Sequence, residues 1–175
     1  MGNTTELRRE IKRTFFSYAE ARGFNFDKRY SPQFLEFRRV FESEMHIFDI
    51  QWEKHGKPRF VVNFGKCPVE GVGFNGEILS PNQVSPAHCS PRGRLQPGKG
   101  PTTLSWFRQD KPLLTRLLSR EPLYPPDQVV GQLIALFSEL EAFWGSMPFQ
   151  VELDFINEGK AGPIEPDETR LSADL

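Results

Sequence analysis

The chain has 175 residues, a formal net charge of −1 and a hydrophobic share of 38%, with sixteen Phe and three Trp. That length suits one core rather than several, and the near-neutral charge excludes a global electrostatic pull toward nucleic acid or acidic membranes. No window approaches eighteen consecutive apolar residues, and MGNTTELRRE lacks the apolar stretch of a secretory signal, so a cytoplasmic protein is expected.

In chain order, Asn3 followed by Glu6 forms a capping-box pattern, and Leu7, Ile11, Phe15 and Tyr18 recur at helical spacing until Gly23. An amphipathic helix is predicted there. From Phe34 to Gly65 the period changes. FLEFRRVF, MHIFDIQWE and RFVVNFG are aromatic and β-branched runs separated by short polar breaks, which predicts three antiparallel strands. In the middle one, His46, Phe48, Ile50 and Trp52 fall on one face and Ile47, Asp49 and Gln51 on the other. A tight turn at His55-Gly56 leads into the third strand. Residues 66–101 hold six Gly and six Pro and read as a long loop, with TTLSWF the best candidate for a short strand inside it or just after it.

Helix signals return at Asp110 and Pro112 before LLTRLL. A stronger helix follows Pro125-Pro126-Asp127, where Val130, Ile134, Phe137, Leu140 and Trp144 trace one face. Gly131 costs that helix about 1 kcal/mol relative to Ala, and close packing is the expected reason for it. FQVELDFI alternates as a last strand, and residues 157–175 form an acidic polar tail. The expected architecture is α+β: residues 1–156 make a single domain with a mainly antiparallel sheet of four to six strands and two long helices packed on one face. The other face and the long loop would then form the available binding surface.

Between Ser90 and Trp106, GRLQPGK matches the opening of the phosphate-cradling pattern GxxxxGK[ST]. Its context is wrong. SPAHCSP before it cannot be a buried strand, and Gly100-Pro101 stand where the magnesium-binding hydroxyl and first helical turn belong. The glycines are better explained as turn residues. The same stretch carries Arg92, Arg94, Lys99 and Arg108 beside Trp106, with no Asp or Glu from Ile78 to Gln109. Such a patch suits a phosphate, a single-stranded nucleic acid or an acidic partner surface, with solvation or pairing to the acidic tail as the competing account. Cys67, His88 and Cys89 lack the paired spacing of zinc ligands, and ordinary buried thiols are expected. Neither His46, Cys89 nor the pairs Glu42/Glu44 and Glu152/Asp154 show a catalytic signature. Arg39 is the oddest residue, because alternation turns it toward the core with Leu35, Phe37 and Phe41. A partner such as Asp49, a bound anion, or snorkelling at a sheet edge would each accommodate it.

ARGF at the end of the first helix, VVNFGK, RGRLQPGKGPTTLSWF and a late helix ending at Trp144 together resemble the bacterial domain-of-unknown-function family numbered 4304, over residues 7–144. The resemblance implies an α+β domain of bacterial origin and carries no established activity or catalytic residues. The leading expectation is a non-enzymatic protein-interaction module of accessory or immunity type, with another protein as partner and no cofactor or metal. The alternative is a binder of a phosphate-bearing small molecule or nucleic acid through Arg92, Arg94, Lys99, Trp106 and Arg108, with Arg39 a further ligand-binding candidate. An enzyme using Cys89 or His46 is the third reading.

Overall fold

The computed structural model describes residues 3–98, 106–111, 115 and 123–146. α1, Asn3–Glu10, passes through a π-helical turn at Ile11–Phe15 into α2, Phe16–Glu20. Helical spacing brings Leu7, Ile11, Phe15 and Ala19 to one side, and all four are fully buried. Gly23, at φ +80°, then turns the chain into β1, Asn25–Ser31. β2 (Phe34–Phe41), β3 (Glu44–Trp52) and β4 (Arg59–Pro68) follow, each antiparallel to the strand before it. A separate hairpin, β5 (Val72–Phe74) and β6 (Glu77–Leu79), leads to a 3-10 turn at Pro86–His88. β7 (Arg92–Leu95) and β8 (Phe107–Arg108) pair with the free edge of β4 and complete a six-stranded antiparallel sheet. α3, Pro126–Ser146, is the last described element. The architecture is α+β.

Strand alternation divides the sheet into two unlike faces. On the aromatic face, Phe37, Phe48, Phe60 and Phe64 share one apolar cluster with Phe15 and Phe24, and with Val130, Leu133, Phe137 and Trp144 of α3. Phe37 stacks on Phe48 with centroids 4.8 Å apart, while Phe15 and Phe137 meet edge to face at 5.7 Å. The Trp144 indole donates to the Gly65 carbonyl at 3.1 Å, so its polar edge is satisfied where α3 crosses β4.

Several expectations change. β1 escapes the sequence pattern because Asp27, Lys28 and Arg29 interrupt its apolar residues, and the strand forms against the edge of β2. The segment 66–101 is not a long loop where it is described. Its first three residues finish β4, Asn75 (φ +51°) and Gly76 (φ +81°) make a two-residue hairpin turn, and Arg92–Leu95 is β7. Gly93 therefore lies inside a strand rather than opening a phosphate loop, and a Cβ there would stand 2.7 Å from the Phe64 ring. Gly131 has open space around it, so close packing is not its reason, and nothing in the structure explains it. The expected helix over LLTRLL apart from Thr115, the strand FQVELDFI, the tail and most of TTLSWF lie outside the described residues.

Phe137 touches Phe15, Tyr18, Phe24, Phe48 and Trp144 and is fully buried. Phe137→Ala is expected to lower stability by about 3 to 5 kcal/mol, read as a shift of the urea midpoint.

Candidate functional site

The other face of the sheet is polar along one line. Register sets Asp27, Glu36, Asp49, Asn63 and Arg94 directly opposite one another across β1, β2, β3, β4 and β7. Over this row lies a cleft of about 830 Å³. Phe34, Glu36, Asp49, Gln51 and Asn63 form its floor, and Gln83, Ser85, Pro86, Ala87, Arg92 and Arg94 are among its walls. The concavity thus falls between the sheet's second face and the segment after β6.

That wall is held down by a residue the sequence did not single out. Arg38, on β2, donates to the carbonyls of Pro81 and Val84 while its guanidinium also pairs with Asp27, at 2.9 Å, and with Glu36. One half-buried fork therefore ties the 81–84 backbone to the sheet. The 3-10 turn is closed by reciprocal Ser85 and His88 contacts, with Ser85 N donating to His88 Nδ1 at 3.1 Å. Arg92 donates to the Ala87 carbonyl from the far side.

Asp49 is the central group. It is 5% exposed, and its Oδ1 accepts from Asn63 Nδ2 at 2.8 Å. The same Asn63 nitrogen donates to Gln51 Oε1 at 3.1 Å, and Asn63 Oδ1 accepts from Arg94 Nε at 2.9 Å. Among the described residues, Asp49 Oδ2 and the Gln51 amide nitrogen have no hydrogen-bond partner, and both side chains line the cleft. Burial pushes the Asp49 carboxyl up to about 6, against the opposing pull of the Asn63 bond and the Arg94 charge. The floor can accept a donor, and the β7 wall offers cations.

Among the described residues, the predicted basic set does not share one site. Arg92 and Arg94 border the cleft, and both are exposed. Arg108 is engaged by Asp110 at 2.8 Å, and Trp106 packs under Arg59, 5.0 Å from ring centroid to guanidinium; neither residue lines the cleft. Lys99 lies outside the described residues. Arg39 is on the aromatic face, where Glu141 of α3 holds it at 2.6 Å and the Phe24 ring lies 4.5 Å away. Its carboxylate partner is Glu141 rather than Asp49, and β2 is not an edge strand. His46 stacks on Trp144 at 5.1 Å and accepts from Arg39 Nε at 3.2 Å. Burial and the Arg39 cation lower its pKa, opposed by Glu44, which also holds buried Lys66 at 3.0 Å. Cys89 sits beneath the opposite face with Met45 and Ile47, so Cys89 and His46 cannot act as nucleophile and base. Among the described residues no three His, Cys, Asp or Glu side chains gather as metal ligands, and no helix is long and apolar enough to cross a membrane.

No protein-family model, curated protein or solved structure matches the chain, so the resemblance to the family numbered 4304 gains no support beyond its own motifs.

Asp49 binds its proton more tightly in the folded chain than in the unfolded one, so it weakens folding as pH rises from about 4 through about 6. Asp49→Asn removes that loss. With tenfold in proton affinity worth roughly 1.4 kcal/mol, the variant is expected to be about 3 kcal/mol more stable than the wild type at pH 8. The difference should shrink as pH falls through about 6 and vanish below about 4 in matched urea titrations. His46 acts in the opposite sense, losing stability as pH falls below its ordinary value, and cancels in this comparison.

Proposed function

We propose that the chain binds a small polar molecule in this cleft, one presenting a cationic or N–H donor end to Asp49 and an anionic end to Arg92 and Arg94. The observation that carries the reading is the second Asp49 oxygen, which lines the cleft without a hydrogen-bond partner among the described residues. That oxygen opens into the cleft from an otherwise buried side chain, so a ligand donor can reach it and form a charge-assisted hydrogen bond there. Acidic groups over β2 and β3 and cationic ones over β7 give the floor a direction, which favours a ligand charged at both ends over a simple phosphate or a nucleic-acid strand. In this reading the two long helices form a layer on the aromatic face and leave the polar face for the ligand.

A protein partner is the second reading, and a different observation favours it. Val40 (68% exposed), Phe41 (56%), Phe74 (43%) and Ile78 (82%) put apolar side chains in water around the β2–β3 turn and the β5–β6 hairpin.

Ligand-observed NMR with free α- and ω-amino acids and phosphoethanolamine, set against the matching amines, carboxylates and inorganic phosphate, tests the cleft. The doubly charged compounds are expected to bind, with at least about tenfold loss in Asp49→Asn and in Arg94→Gln. Binding unchanged by both substitutions, or no binding by any of these compounds, would remove the reading.

A further inference from the structure

The rest of the polar face is apolar and contains both cysteines. Cys67, on β4, and Cys89, just after the 3-10 turn, are buried with Met45, Ile47 and Val84 around them, and Val72 and Leu79 of the hairpin pack against the group. The two thiols are neighbours in this group, each shifting the other's ionisation. Their approach depends on a glycine. Gly65 and Cys67 point the same way from β4, and a Cβ on Gly65 would lie 2.5 Å from Cys89 Cβ and 3.1 Å from its Sγ. Only a residue without a side chain lets Cys89 settle onto the strand beside Cys67. The segment is moored on both sides of that contact: Cys89 Sγ donates to the Ser85 carbonyl at 3.5 Å, and Lys66 N donates to the Pro91 carbonyl at 3.3 Å. Ser85, Pro86 and Ala87 of the same segment wall the cleft.

We propose that Cys67 and Cys89 form a redox-modification site, which a low-molecular-weight disulfide converts into an intramolecular disulfide tying the cleft wall at 85–92 to β4. The Cys67 thiolate attacks one sulfur of the reagent, forming a mixed disulfide and releasing one thiolate, which takes up the Cys67 proton. Cys89 then gives up its proton and attacks Cys67 Sγ, expelling the second thiol. The chain loses two hydrogens, and the reagent is reduced to two thiols. The assignment of roles follows the Ser85 contact: the single Cys89 S–H is engaged by that carbonyl, and the neighbouring Cys67 and burial both oppose its ionisation, which leaves Cys67 to ionise first. Because the pair is buried, the reagent reaches it when the 81–91 backbone lifts from the sheet, and the bridge then opposes further lifting.

Incubation of the full chain with oxidised glutathione in low urea, followed by intact mass and thiol titration in denaturant, tests the proposal. The expected product is a monomer lighter by two hydrogens, with no glutathione retained and no free thiol. Its Tm should rise by about 5 °C, reversibly with dithiothreitol, and amide exchange across 85–91 should slow. Cys89→Ser is expected to stop at a glutathione adduct on Cys67. A stable adduct on the wild-type chain, two thiols surviving prolonged incubation, or a bridge between chains would overturn the site. Unchanged exchange at 85–91 in the bridged product would overturn its link to the cleft wall.

Discussion

The stacking of Phe37 on Phe48, with Phe15, Phe24, Phe137 and Trp144 closed around them, decides which side of the sheet is dry. Side chains on a strand alternate strictly, so fixing the aromatic set on β2, β3 and β4 also fixes its complement. A slip of one residue would bring Glu36, Asp49 and Asn63 into the apolar cluster and put Phe37 and Phe48 in the cleft. The desolvation of those polar groups and the loss of the aromatic contacts both oppose that slip. The polar row is therefore a consequence of the aromatic layer, held in register by it from β2 to β4.

What the polar face does with that row depends on Arg38. Its guanidinium satisfies two backbone carbonyls of the segment after β6 and two carboxylates of the sheet at once, and so fixes the segment over the floor. Beside it, Met45, Ile47, Val84 and the two cysteines make a second, smaller core that anchors the same segment further along. The cleft lies between these two attachments and the β7 edge. Asp49 is left in a position that weakens folding, half satisfied by Asn63 and buried deeply enough to hold its proton up to about pH 6. Groups that work against stability in this way are concentrated at sites that bind or react.

Much of the frame was legible in the sequence. The three aromatic runs became β2, β3 and β4, the two faces of β3 were assigned correctly, and the helical positions Leu7, Ile11, Phe15 and Val130, Phe137, Leu140, Trp144 are buried. The losses have physical causes. Counting Gly and Pro across 66–101 hid a local signal, Asn75-Gly76 between short apolar runs, that by itself marks a hairpin. β7 reads as loop because Arg92, Gly93, Arg94 and Leu95 make sense only once Phe64 and Asn63 lie opposite them. Arg39 was recognised as anomalous, yet its partner Glu141 is 102 residues away on a helix whose placement no local pattern gives. The basic residues from 92 to 108 are close in sequence and separate in space, since β7 and β8 meet β4 at different points along its length. The site itself, built from Asp49, Asn63 and the Arg38 clamp, depends on cross-strand register, which periodicity alone does not fix.

The binding cleft depends on Asp49 as a buried carboxyl with one oxygen held by Asn63 and the other facing the open side. The most direct measurement is the ¹³C NMR titration of its carboxyl carbon in the full chain, assigned by Asp49→Asn. A midpoint near 6 is predicted. A midpoint near 3.9, the value of a solvated aspartate, would contradict it.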